Sequence, residues 1–260
     1  MGTSTSSKGP GANVPIVPPW VGDPDAPQDG APDAPPLAPI GRFRPARTSL
    51  GKFGGSGDKG HLRRGLGHYS RGGMGGAATA TKRMSGSAAS AGAIYEALEA
   101  LANGQPLPAE FGLAPDALDG KSQCEIIDIL VDAIRPLDGT QDAEAARDSA
   151  ARALAEVLAD DAEWTDLQPD QIERVVEGFL GNDLALRIEL DVGKAVIAKA
   201  PNLAEGLDRL EEMKGYVREV VAQRYAARRT LEGKLDRKTV ASMCKDAIRD
   251  TFDVFESFLS

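Results

Sequence analysis

Helix breakers crowd the front of this chain and leave the rest to one kind of structure. Ten of the 17 prolines fall in residues 1–40, and 13 of the 29 glycines fall in residues 41–86. Proline removes a backbone donor, and glycine costs about 1 kcal/mol per helical position relative to alanine. Nothing long and regular is therefore expected before residue 87. Beyond it, no stretch longer than four residues alternates apolar and polar side chains, whereas apolar residues recur every three or four positions. That period predicts helices and no sheet.

The stop and start signals divide residues 87–260 into six or seven helices. "SAASAGAIYEALEALANG" ends at Asn103-Gly104, and "KSQCEIIDILVDAIRP" ends at Pro136, with Cys124, Ile127, Leu130, Val131 and Ile134 on its apolar stripe. Thr140 is placed to cap "QDAEAARDSAARALAEVLAD", whose early acids suit the helix dipole. "QPDQIERVVEGFL" and "NDLALRIELDVGKAVIAKA" follow as separate helices, the second ending at Pro201. Asn202 and Glu205 have the spacing of a capping box before a long helix, and Asp236 caps the last one. About 170 residues of this kind make an all-α helical bundle with room for a proper core.

Residues 1–40 are rich in Pro, Asp and Ala and offer little to bury, so they are expected to be a largely disordered arm, extended like polyproline. Residues 41–86 form a basic, glycine-rich segment in which Leu62, Leu66 and Tyr69 predict a short helix over 59–70. Charge is divided just as sharply. One Lys and four Asp give residues 1–40 a net −3. Ten Lys and Arg against one Asp give residues 41–90 a net +9, and 19 basic against 34 acidic residues give 91–260 a net −15, within a total of −9. The basic segment has two natural counter-surfaces, an external anion or an acidic protein face. Its candidate contacts are Arg42, Arg44, Arg47, Lys52 and Lys59, then Arg63, Arg64, Arg71, Lys82 and Arg83. Phe43, Phe53 and Tyr69 lie among them, as stacking aromatics do in single-strand binders.

Catalytic patterns are not found. "GGSGDKG" and "LDVGKA" lack the spacing of a phosphate loop, and there is no G-x-S-x-G elbow. His61 and His68 have only Asp58 nearby as a further ligand, so no metal is expected. Cys124 and Cys244 are expected to be small buried residues, not a disulfide. No cofactor is implied. With no signal peptide and no apolar run near 18 residues, the expectation is a cytoplasmic, non-enzymatic binding protein without a membrane partner.

The chain begins "MGTSTSSKGPGANVPIVPPW". Gly2 is small enough for Met1 to be removed, which leaves a free amine. With pKa values near 8 for that amine and near 10.4 for lysine, about 10% of Gly2 but only about 0.1% of Lys8 is neutral at pH 7.2. Gly2 is thus the favoured nucleophile of the arm. "MGTSTS" also fits a myristoylation pattern, but the Ala/Arg/Asp-rich composition looks bacterial, where that lipid is not expected.

Several long stretches carry a resemblance. They are "MGTSTS" with "VPIVPPW", "GRFRPARTSLGKFGGSGDKGHLRRGLGHYSRGGMGGAATATKRM", "RPLDGTQDAEAARDSAARAL", and "ELDVGKAVIAKAP" with "RLEEMKGYVREVV". Together they resemble the QatB family of the bacterial Qat antiphage defence system. The resemblance implies a neighbourhood of an ATPase (QatA-like), an enzyme similar to queuosine-precursor synthases (QatC-like, QueC-like) and a TatD-type nuclease (QatD-like). Such synthases activate a 7-deazaguanine carboxylate with ATP for attack by ammonia. A relative that accepted a protein amine would stop at an amide, and the resemblance makes Gly2 the candidate for that modification. Thr3 and Ser4 would then be read by the synthase pocket. Val14, Ile16, Val17, Pro18, Pro19 and Trp20 would hold the arm on the partner, the prolines limiting the entropy lost on binding. The alternative is an adaptor that binds nucleic acid through residues 42–83 and recruits the nuclease or the ATPase.

Overall fold

The computed structural model describes residues 15–17, 37–114, 116–136, 139–158, 164–230 and 235–260. Among these the protein is all-α, with no strand beyond an isolated antiparallel bridge between Pro15 and Leu37. The helices are α1 (Arg44–Ser56), α2 (Lys59–His68), α3 (Ala77–Arg83), α4 (Ser85–Ala102), α5 (Gln123–Ile134), α6 (Gln141–Leu158), α7 (Pro169–Ile188), α8 (Lys194–Lys199), α9 (Leu203–Arg229) and α10 (Arg237–Ser257). Two π-helical turns interrupt this pattern, Tyr69–Gly73 after α2 and Glu189–Gly193 between α7 and α8.

The expected caps form. Thr140 accepts from the Ala143 amide (3.1 Å), Asn202 from that of Glu205 (2.9 Å) and Asp236 from that of Thr239 (2.7 Å). Ser122 and Glu125 add a complete capping box at the start of α5. Two expectations are corrected. The break expected near Gly181 is absent, because α7 runs unbroken from Pro169 to Ile188. Gly181 instead lies close against α9, where a Cβ would come within 3.3 Å of the Arg218 Cγ. Cys124 is exposed while Cys244 is buried: the cap at Ser122 turns α5 so that Ile126, Ile127, Leu130 and Val131 face inward.

Contacts divide the chain into two compact units. The first takes its residues from 1–86, 188–214 and 248–260, the second from 87–187 and 215–247. The sequence divides at 86/87 by composition, but the unit that contains the glycine-rich segment also draws on two later stretches of the chain.

The second unit is built on α4 to α7 with the later part of α9 and the first half of α10. Ala93, Ala97, Phe111, Ile126 and Leu130 form a buried cluster, and Trp164 and Leu101 pack against it. A buried charge is fully partnered. Asp183 accepts from Arg187 Nε (3.1 Å) and from the Ser87 hydroxyl (2.5 Å), while Arg187 also reaches Asp142 (2.9 Å). Such a pair is costly to break because the remaining charge stays buried.

In the first unit the glycine-rich segment is a core, not a loop. α1 is 13 residues long although it contains "LGKFGG", and Phe43, Leu50, Phe53, Leu62, Leu66 and Tyr69 are almost wholly buried. The glycines are explained by what they touch. A Cβ on Gly54 would run into the backbone carbonyl of Val196 in α8, and one on Gly65 into the side chain of Leu50. Close approach of helices replaces the stability lost to poor propensity. Aromatic rings continue this core. Phe43 stacks on Tyr69 (5.5 Å), Tyr69 on Phe252 (6.5 Å), and Phe252 meets Phe255 edge-on (6.0 Å).

Glycines of the two kinds should respond oppositely to alanine. Gly54→Ala should destabilise the protein by about 1–3 kcal/mol through overpacking. Gly215→Ala in α9, where a Cβ meets nothing within 4 Å, should stabilise it by about 0.5–1 kcal/mol. Urea denaturation of the two variants checks both signs.

Candidate functional site

Gly2, Thr3, Ser4, Val14, Pro18, Pro19 and Trp20 lie outside the described residues. The remaining arm contacts are placed. Pro15 pairs with Leu37, Val17 is half-buried, and Ile16 is buried at 7% exposure. The Cδ1 of Ile16 sits beside Gly75, where an added Cβ would be only 3.3 Å away. Gly75 and Gly76 both have positive φ (80° and 92°), which lets the backbone turn between the π-helical turn and α3. Ile16 therefore packs against its own chain in the first unit.

The ten basic residues do not form one surface. Lys59 pairs with Glu212, and Arg209 joins the same carboxylate group (3.5 Å). Arg63, Arg64 and Arg71 are exposed on α2 and the turn that follows. Burial chiefly, and then the charges of Arg64 and Arg71, hold the His68 imidazole below its ordinary pKa. Lys82 is exposed on α3, and Arg83 lies against the sulfur of Met74 (3.7 Å). The aromatics expected to stack on bases are spent in the core: Phe43 is 2% exposed, Tyr69 1% and Phe53 0%. An arginine–aromatic interleaving suits a helix packed on one face and charged on the other just as well as a single-strand platform.

Four of the ten do converge. Arg42, Arg44, Arg47 and Lys52 line a groove of about 640 Å³ along α1, and Lys199 at the end of α8 joins them. Gly51, Gly55, Ala195 and Ala198 contribute small, flat surface, with Pro39 and Gly41 at one end. Among the described residues, no carboxylate lines it. Two of the arginines lie deeper than the rest. Arg42 lies over the Phe43 ring (4.6 Å to its centre), and Arg47 donates Nε (3.0 Å) and Nη2 (2.7 Å) to the carbonyl of Asp191. Arg44, Lys52 and Lys199 are exposed. Lys199 was not legible as a site residue, because it lies far along the chain and only the α1–α8 packing brings it to Gly51.

Asp191 ties the site to the core. Its carbonyl takes Arg47, and its carboxylate accepts from the Tyr69 hydroxyl (2.9 Å). Each of the two π-helical turns supplies one partner of that bond. Among the described residues no cluster of His, Cys, Asp and Glu is arranged to hold a metal ion, and no helix is long and apolar enough to cross a membrane.

A family model described as Qat anti-phage system associated protein QatB matches residues 75–255. No curated protein and no solved structure matches the chain.

Removing the Tyr69 hydroxyl should be felt through the fold. Tyr69→Phe removes one donor to the Asp191 carboxylate in a part-buried place, and should cost about 1–3 kcal/mol. Arg63→Ala, on the exposed side of α2, should stay within about 0.5 kcal/mol. Thermal melts of both variants provide the comparison.

Proposed function

We propose, from the premise that this chain belongs to the QatB family and is a component of the Qat anti-phage system, that it is a non-enzymatic subunit whose N-terminal arm is held and conjugated by a queuosine-precursor-synthase-like partner. The observation that carries the reading is the root of the arm. Pro15–Val17 are tied to the first unit, and Gly2 precedes Pro15 by 13 positions in the sequence. A stretch of that length spans at most about 45 Å. This is enough to deliver a free amine into a partner's pocket while the helical body stays outside it.

The chemistry is amide formation. In the partner, the carboxylate of a 7-deazaguanine base attacks the α-phosphorus of ATP, which gives an acyl adenylate and releases pyrophosphate. The neutral Gly2 amine then attacks the carboxyl carbon, the bond to the nucleotide breaks with AMP as the leaving group, and the amine nitrogen sheds a proton. Thr3 and Ser4 are small and can hydrogen-bond within a narrow channel. Trp20 with Pro18 and Pro19 anchors the arm on the partner's surface at low entropic cost. The ATPase and the TatD-type nuclease of the same system are the further partners. The adaptor alternative, nucleic acid held along residues 42–83, loses its stacking component once Phe43, Phe53 and Tyr69 are buried.

Intact-mass spectrometry of the chain co-expressed with its operon partners tests the reading. The expected result is an adduct on the N-terminal peptide that survives Lys8→Arg and disappears when one residue is inserted before Gly2. An unmodified Gly2 peptide in cells that resist phage would falsify the conjugation and leave the arm as a docking segment.

A further inference from the structure

The groove along α1 asks for a ligand of its own, whatever happens at Gly2. Its size is that of a small-molecule site, within the ~300–1,000 Å³ such pockets occupy. Five cationic side chains line it, with no carboxylate in its lining among the described residues. The positive end of α1 lies at the same place. Gly41 to Arg44 line the groove, and α1 begins with no side-chain cap and no acidic residue in its first turn.

Three features select the chemistry of the occupant. Charge is dense. Arg44 and Lys52 come from one helix of three turns, and Lys199 is placed beside Gly51, where a Cβ would lie 3.1 Å from its Cγ. Linked phosphates carry comparable charge within a few ångströms, whereas an acidic peptide spreads single charges over about 3.3 Å per residue. Arginine also presents a fork that matches phosphate oxygens. Second, the surface is small and apolar where it is not charged, with Gly51, Gly55, Ala195 and Ala198 presenting almost bare backbone. Third, the nearby aromatic ring is committed, since Phe43 has Arg42 on it and is stacked with Tyr69. A single strand that needs a stacking platform finds none here.

We propose that the α1–α8 groove binds a small polyphosphate, either a nucleoside triphosphate through its phosphates or inorganic pyrophosphate, with Arg44, Lys52 and Lys199 as the gripping residues. Arg42 and Arg47 shape the groove and add to its potential.

Calorimetric titration of the full chain with ATP and with pyrophosphate tests this. Both probes should bind saturably at one site and compete with each other. Tighter binding of ATP identifies a nucleotide site, and equal binding identifies a site for the polyphosphate alone. The triple variant R44E/K52E/K199E should weaken binding by about tenfold or more. All three positions are exposed, so its circular dichroism and melting temperature should stay near wild type. The pair R63E/R64E, outside the groove, should leave affinity unchanged. The proposal is overturned if neither probe saturates, or if the control pair loses as much as the triple variant. Binding of a single-stranded oligonucleotide that neither probe displaces would overturn it as well.

Discussion

The first unit depends on the contact of Gly54 with the backbone of Val196. It lets α1 lie on α8 without intervening side chains, at a distance that any other residue would prevent. Three consequences follow from that approach. Lys199 is brought over Gly51 and becomes a wall of the groove. Arg47 is brought to the carbonyl of Asp191. Phe43, at the start of α1, is brought onto Tyr69, whose hydroxyl closes the circuit at the Asp191 carboxylate. The local cost in helix propensity is real, about 1 kcal/mol for each glycine, and the packing outweighs it.

That balance explains what the sequence could and could not reveal. In residues 87–260 local and global preferences agree. Thr140, Asn202 and Asp236 cap where their side chains predict, and Gly104 ends α4 with positive φ. In residues 41–86 they disagree. "GKFGGSG" has the composition of a linker, yet it continues a helix because its partner surface lies some 140 residues further along the chain. Gly181 misleads in the same way, as a contact with Arg218 inside an unbroken helix. The groove was half legible. Arg42, Arg44, Arg47 and Lys52 stand out by charge, whereas Lys199 looks like any exposed lysine near a helix end. Cys124 shows how a first-turn residue can fall off an apolar stripe when the cap fixes the helix's rotation.

The charges assign different work to different parts of the chain. Most of the excess negative charge lies after residue 90, where Asp183 and Asp142 with Arg187 are partnered within a packed unit. The excess positive charge lies in residues 41–90, and Arg44, Lys52, Lys59, Arg63 and Arg64 of α1 and α2 are exposed. Ile16 and the cationic groove along α1 and α8 belong to the same unit.

Hydrogen–deuterium exchange of the full chain, alone and with the proposed queuosine-precursor-synthase-like partner, tests the proposed role of the N-terminal segment most directly. The account predicts that the partner slows exchange in residues 2–20, with the interior of α5 and α6 unchanged. Protection confined to α4–α7, with residues 2–20 exchanging as they do in the chain alone, would contradict it.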